Sequence, residues 1–120
     1  MCEKNNIVKK FTSIAIQWGV ATNFGEIRDS DFWYYEYEKL IPELEQEISI
    51  TTRALNTLIK SNEMSVRYLA AITLKKFEID LPTALLVIYN IANDPNSGSI
   101  GTLAEVNLIN WKAVFTDGRD

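Results

Sequence analysis

One apolar pattern occurs twice between Arg53 and Trp111, and this repetition limits the folds open to the chain. Four side chains recur 30 positions later, and four more recur 34 positions later. The matched pairs are Ala54 with Ala84, Leu55 with Leu85, Leu58 with Ile88, Ile59 with Tyr89, Val66 with Ile100, Ala70 with Ala104, Leu74 with Leu108 and Phe77 with Trp111. Steps of three and four residues put each set on one face of a helix. A helix pair used twice indicates a helical repeat, a class of fold that usually binds other molecules.

Capping and turn residues divide the whole chain into six helices. The predicted helices run from Asn5 or Asn6 to about Asn23, from Asp29, Ser30 or Asp31 through Ile48, from Thr51 or Thr52 to Ser61, from Asn62 or Ser65 to Phe77, from Pro82 to Ala92, and from about Ser99 to Ala113. No stretch alternates with period two, and the β-branched run Ile48–Thr52 is interpreted as a helix junction. The predicted fold class is therefore all-α, with six helices in three antiparallel pairs.

With 120 residues, of which 47% are apolar, the chain is predicted to form one domain. Residues 1–48 are assigned to an N-terminal helix pair and residues 49–79 to the first repeat. The second repeat covers residues 80–113, and residues 114–120 form a tail that is polar from Thr116 onward.

Three features predict details of packing. Pro42 inside the second helix predicts a kink or break near Lys39–Ile41. The fifth helix is apolar nearly all round, so we expect other helices to enclose it. Arg67 is interpreted as a structural ion pair with Glu63 or with a neighbouring repeat, rather than as an anchor for a partner.

Two short motifs carry a resemblance to a known class. The string Val66-Arg67-x-x-Ala70-Ala71-x-x-Leu74 resembles the second-helix signature of HEAT-like repeats. The sequence that follows resembles a small family of bacterial single-domain HEAT-like proteins of unknown function. The residues that carry this resemblance are Pro82, Ala84, Leu85, Ile91, Ala92, Gly98, Ala104, Leu108 and Trp111. The resemblance implies a right-handed HEAT/armadillo-like helical repeat. Compact HEAT-like proteins of this size also resemble immunity proteins, which neutralise the cognate toxin of contact-dependent or polymorphic toxin systems.

Composition argues against several functional classes. The chain has no histidine and one cysteine, Cys2, so a zinc site of the usual Cys/His type and an internal disulfide are excluded. Its net charge of −4 disfavours a nucleic-acid partner. Catalytic triads, phosphate loops and metal-ligand spacings are missing from the sequence, so we expect neither an enzyme nor a cofactor. Paired carboxylates such as Glu36 and Glu43 leave a carboxylate-based enzyme as a minor alternative.

A cytoplasmic location is predicted from the N-terminal region. Lys9 and Lys10 precede a mildly apolar run, Phe11–Ala21, which faintly imitates a secretory signal. Polar residues interrupt the run, and its apolar positions step by three and four as in an amphipathic helix. No run approaches the roughly 20 apolar residues that cross a membrane, so no membrane partner is expected.

The segment around the second helix carries more than the whole net charge of the chain. Residues 26–47 include eight acidic and two basic residues, a local charge of −6, so the rest of the chain carries +2. Aromatic residues are interleaved with these acids, and Tyr35 lies nearly opposite the predicted core stripe. The candidate partner-binding residues are Asp31, Phe32, Tyr35, Glu36, Glu38 and Glu45. Exposed aromatic residues framed by acids are typical of a binding surface for a basic protein.

These observations favour a protein-binding module. The sharper hypothesis is an immunity protein that binds and occludes a basic toxin domain, such as a nuclease, because acidic side chains can imitate phosphates. The alternative is a HEAT-like adaptor whose partner is unrelated to toxins. Two simpler interpretations stay open: the acids form an ordinary solvated face, and the first helix covers Phe32 and Tyr34.

Overall fold

The computed structural model describes residues 3–25 and 27–117, with side chains for 4–25 and 27–111. Over these residues the chain forms six α-helices and no strand, which confirms the prediction of an all-α chain with six helices. The helices are α1 (Glu3–Asn23), α2 (Ile27–Gln46), α3 (Ile48–Leu58), α4 (Met64–Lys76), α5 (Leu81–Ala92) and α6 (Gly98–Asp117). None of the described helices is both long enough and apolar enough to span a bilayer.

The second helix does not break at Lys39–Ile41, and it ends two residues before the predicted boundary at Ile48. The run Ile48–Thr52, interpreted as a helix junction, is instead the beginning of α3. α2 continues through Pro42 to Gln46, and the helical backbone is interrupted only at Glu47, with φ −132° and ψ 72°. Proline removes the N–H that would bond the carbonyl of Glu38. Because Glu38 is exposed, water can satisfy that carbonyl and the helix tolerates the proline. At the junction itself, the Thr51 hydroxyl donates to the carbonyl of Leu44 at 2.6 Å.

The later boundaries follow the turn chemistry of the sequence. Pro82 lies in the first turn of α5, as predicted. The predicted loop Asn93–Gly98 is confirmed through Ser97, and Gly98 is already the first residue of α6. The predicted end of the sixth helix at Ala113 is too early, since α6 continues to Asp117. Residues 118–120 of the predicted tail lie outside the described residues.

The enclosed helix is α4. Nine of its 13 residues are buried, on every side of the helix: Ser65, Val66, Tyr68, Leu69, Ala70, Ala71, Ile72, Thr73 and Leu74. It packs against α1, α3, α5 and α6. The expectation that α5 would be enclosed is wrong, because Leu86 and Tyr89 of α5 are exposed. Small side chains such as Ala70, Ala71 and Thr73 let neighbouring helices approach α4 closely from several directions.

Arg67 has a structural role, although with a different partner from the one predicted. Its Nη1 donates to the backbone carbonyl of Ser61 at 2.8 Å. Among the described residues it forms no ion pair with Glu63. The guanidinium therefore satisfies a carbonyl in the turn that precedes α4.

A buried hydrogen-bond chain joins α2 to α4. The Thr73 hydroxyl donates to the Leu69 carbonyl at 2.7 Å, so the Tyr37 hydroxyl, 2.8 Å away, must donate to Thr73 Oγ1. Both side chains are almost fully buried. Burial raises the pKa of Tyr37 above the ordinary value of 10.0.

α1 approaches α4 closely at Gly19. A Cβ added to Gly19 would meet the Cβ of Ser65 at 2.5 Å, well inside van der Waals contact. Only glycine therefore fits at this crossing. α1 also packs against α2, α3 and α6, so the crossing positions α1 against most of the fold.

Replacing Gly19 by alanine is expected to lower the free energy of unfolding by about 1–3 kcal/mol, since the new methyl group overpacks the crossing. The sign of this change in unfolding free energy is informative, because replacing glycine by alanine at an open helix position stabilises a protein by about 0.5–1 kcal/mol. Urea unfolding measures the effect. Ser13→Ala, at an exposed position of the same helix, is the control and should be nearly neutral. A Gly19→Ala variant more stable than the parent chain would contradict the close approach.

Stability is expected to fall in alkaline solution, above about pH 10. The fold holds Tyr37 protonated, with a raised pKa. Its contribution is therefore fully present below the unfolded-state pKa near 10 and is lost as the pH rises beyond it, by about 1.4 kcal/mol per pH unit. Urea unfolding from neutral pH to about pH 12 measures this slope. Tyr37→Phe should be less stable at neutral pH by about 1 kcal/mol and should show a shallower alkaline decline. If stability declined equally steeply with pH in the parent chain and in Tyr37→Phe, the alkaline loss could not be attributed to Tyr37.

Candidate protein-binding surface on the second helix

Five residues form one exposed line along α2, which we call the α2 stripe. They are Asp31, Tyr35, Glu38, Pro42 and Glu45, and all five are exposed. Their spacing alternates between four and three residues, so at 100° per residue they fall within an arc of about 80°. From Asp31 to Glu45 the stripe is about 21 Å long, at a rise of 1.5 Å per residue.

The opposite face of α2 fixes the orientation of the stripe. Tyr37, Leu40 and Leu44 are buried in the core. The ring of Tyr37 packs edge-on against Phe11 of α1, with ring centroids 5.9 Å apart. Tyr34 lies against Trp18 with centroids 6.4 Å apart, so α1 does cover Tyr34. Because its inner face is held by aromatic packing, α2 presents the stripe on a fixed support.

The carboxylates of the stripe lack internal partners. Asp31, Glu38 and Glu45 form no ion pair among the described residues. Burial, and after it the charge of Glu38, raise the pKa of Tyr34. The stripe is therefore a row of three uncompensated negative charges, which is a surface suited to cations.

Glu36 differs from the other candidate residues. It lies about 100° around the helix from Tyr35, and its carboxylate binds Lys39 Nζ at 2.8 Å. This hydrogen bond raises the pKa of Lys39. Lys39 Nζ also lies 5.2 Å from the ring centroid of Tyr35. Glu36 is thus engaged within the chain, where it orients the lysine that contacts Tyr35.

Two candidate aromatic side chains are open to solvent. Tyr35 is 60% exposed and Phe32 is 52% exposed, so α1 does not cover Phe32. The ring of Phe32 packs edge-on against Trp33 at 5.0 Å, about 60° around the helix from Tyr35. Both rings have one neighbour that restrains them and one face free. A restrained exposed aromatic ring loses little conformational entropy on binding, which is favourable for an anchor.

A groove at the N-terminal end of the stripe was not predicted. It has a volume of about 410 Å³ and lies between the α1–α2 turn and the first turns of α6, with Asp31, Ile27 and Leu103 among its lining residues. Phe24 and Ile27 next to it are strongly exposed. The only local signal in the sequence is the presence of two apolar residues, Phe24 and Ile27, close to Gly25. The contribution of α6 depends on long-range packing, which periodicity does not report.

The described side chains contain no cluster of three or more Asp, Glu, Cys or His residues that could hold a metal ion. Comparison with known proteins finds no matching family model, no matching curated protein and no matching solved structure.

Removal of the Tyr35 side chain is expected to leave stability unchanged, within about 0.5 kcal/mol, because the ring is exposed. Tyr34→Ala is the matched comparison on the neighbouring position. It should cost about 2 kcal/mol, less than the 3–5 kcal/mol of a fully buried aromatic residue, because Tyr34 is half-buried. Thermal or urea unfolding of both variants tests this. Equal losses would mean that Tyr35 has a structural role and is not a free surface residue.

Proposed function

We propose that this protein is a protein-binding module whose α2 stripe docks on a basic partner. The observation that carries the proposal is the line of three unpaired carboxylates with an exposed tyrosine among them. Such a row attracts a positive surface and accelerates encounter, while the rings of Tyr35 and Phe32 supply the apolar contacts that slow dissociation.

The more specific form of the proposal is an immunity protein. A toxin domain that cleaves nucleic acid has a basic surface for its polyanionic substrate. A rigid row of carboxylates can occupy that surface and exclude the substrate by direct competition. The position of the row on a supported helix favours this role, because a preorganised surface binds with a smaller entropic cost.

The architecture that accompanies this proposal is a HEAT-like stack of three antiparallel helix pairs. Corresponding positions support it: Val66, Ala70 and Leu74 in α4 are buried, and so are their counterparts Ile100, Ala104 and Leu108 in α6. The consecutive helices α1 and α2, α3 and α4, and α5 and α6 pack against each other. α1 also packs against α6, a contact across the proposed stack that an open solenoid would lack.

An adaptor for an unrelated protein is the second candidate. The groove beside Phe24 and Ile27 favours it, since an apolar groove next to the stripe adds contacts that imitation of phosphates does not require. In both cases we expect a binding role rather than catalysis.

Charge reversal of the stripe tests the proposed surface. The probe is the protein encoded by the adjacent reading frame, with surface plasmon resonance as the measurement. Asp31→Lys with Glu38→Lys should slow association by about tenfold to a hundredfold, an effect that weakens at high salt. Tyr35→Ala should mainly accelerate dissociation, by up to about 30-fold for a 2 kcal/mol anchor.

The control makes the same change in net charge elsewhere. Glu63→Lys with Glu78→Lys alters exposed residues at the two ends of α4 and should bind normally. Normal binding by the folded α2 variants would place the interface on another surface. If the adjacent frame encodes no basic effector and its product does not bind, the immunity form is rejected.

A further inference from the structure

A pocket of about 270 Å³ opens where residues of α2, α4 and α6 come together. α2 contributes Tyr34 and α6 contributes Asn107, while α4 contributes the other four lining residues, Tyr68, Ile72, Lys75 and Lys76. Two of these six side chains are cationic and none is acidic, in a chain whose net charge is −4. No residue of the α2 stripe lines it, so the pocket is a separate feature of the molecule.

The two lysines of this pocket have no anionic partner within the described part of the chain. Lys75 and Lys76 form neither an ion pair nor a side-chain hydrogen bond there. Lys75 is partly buried, and its Nζ lies 5.0 Å from the ring centroid of Trp111. Contact with the face of an aromatic ring restrains an ammonium group without occupying its N–H donors in hydrogen bonds. Both ammonium groups are therefore available to an anion, and one of them is held in place.

Asn107 leaves the Tyr68 hydroxyl with an unused donor. Asn107 Nδ2 donates to the backbone carbonyl of Leu103 at 3.1 Å and to Tyr68 Oη at 2.8 Å. A carbonyl oxygen only accepts, so the Asn107 atom that contacts both oxygens must be the amide nitrogen. Tyr68 Oη is thus the acceptor, and its own hydrogen has no acceptor among the described residues. Because Tyr68 is almost fully buried and lines the pocket, a ligand oxygen in the pocket can reach this donor.

Tyr34 adds a second hydroxyl to the wall of the pocket, and this group forms no hydrogen bond with the described residues. Burial, and after it the charge of Glu38, raise the pKa of Tyr34, and burial raises the pKa of Tyr68. Both hydroxyls therefore keep their protons at neutral pH. Two ammonium groups and two O–H donors around one pocket complement an anion.

The number of donors favours a phosphate group over a carboxylate. A phosphate monoester carries a charge of about −1.5 to −2 at pH 7 and has three terminal oxygens, whereas a carboxylate has one charge and two oxygens. The pocket volume equals that of about nine water molecules, at roughly 30 Å³ each, which is more than a phosphate group alone fills. Ile72 and the two tyrosine rings supply apolar walls for the rest of the ligand.

We propose that this pocket binds the phosphate group of a small phosphate monoester. Lys75 and Lys76 neutralise its charge, and the hydroxyls of Tyr34 and Tyr68 donate to its oxygens. A small compound fits better than a nucleic-acid strand, because the acidic segment of residues 26–47 repels the neighbouring phosphates of a polyanion. The site goes beyond the proposed function, since it uses no residue of the α2 stripe and does not require a protein partner.

An NMR titration of the full chain with phenyl phosphate tests the site, with inorganic phosphate and benzoate for comparison. The side-chain amide signals of Asn107 should shift on binding, because its nitrogen contacts Tyr68 Oη. Phenyl phosphate should bind at least threefold more tightly than inorganic phosphate, since its ring contacts the apolar walls. It should bind at least tenfold more tightly than benzoate, which has the same ring but less charge.

Three variants assign the binding to the named side chains. Lys75→Met with Lys76→Met removes both charges at similar side-chain length and should weaken phenyl phosphate binding at least tenfold. Tyr68→Phe removes one donor, keeps the ring that stacks on Trp18, and should weaken binding about tenfold. Glu38→Gln removes the negative charge that acts on Tyr34 and should strengthen binding about twofold.

The matched control is Lys9→Met with Lys60→Met, which makes the same charge change at two exposed lysines outside the pocket and should bind like the parent chain. The site is rejected if phenyl phosphate shifts no pocket signal up to about 10 mM. It is equally rejected if the Lys75/Lys76 variant binds normally, or if the control loses as much affinity. Equal affinity for phenyl phosphate and inorganic phosphate would reject the monoester. If Tyr68→Phe does not fold, the lysine pair decides alone.

Discussion

The enclosure of α4 is the constraint on which the rest of the fold depends. A helix buried on all sides must present small side chains wherever a neighbour crosses it, and α4 does so with Ser65, Ala70, Ala71 and Thr73. Gly19 on α1 faces Ser65 at the close crossing of α1 with α4. Once α1 is held against α4, the remaining helices pack around these two. The apolar stripes of α3, α5 and α6 then need only one buried side each.

The same packing prepares the candidate binding surface. Trp18 of α1 stacks on Tyr68 of α4, with centroids 5.6 Å apart and rings nearly parallel, and also touches Tyr34 of α2. The chain from Tyr37 through Thr73 to Leu69 adds a directional hydrogen bond between α2 and α4. Apolar packing alone tolerates small rotations of a helix, whereas a buried hydrogen bond is lost by them. The rotation of α2, and hence the direction in which its stripe points, is fixed from within.

The sequence was informative about elements and less so about their environment. Steps of three and four residues, together with Pro82 and the Asn93–Ser97 loop, were sufficient to predict six helices. They also predicted that Tyr35 lies opposite the core, although its role in binding stays a prediction. Mean apolarity was misleading for α5, because enclosure depends on small side chains at crossings rather than on apolar content. The groove beside Asp31 was missed because α6 supplies one of its walls, and contacts between distant elements leave no periodic signal.

Charge is separated in this molecule in a way that stability alone does not require. A helical protein could distribute its acids over all exposed faces, which would lower repulsion within α2 and keep α5 and α6 well solvated. Instead, eight of the 16 acidic residues lie in residues 26–47, and residues 81–111 contain only Asp94 and Glu105. Repulsion along α2 and exposed apolar area on α5 and α6 both cost free energy in an isolated chain. A cationic surface docked on α2, as proposed above, would remove the first of these costs.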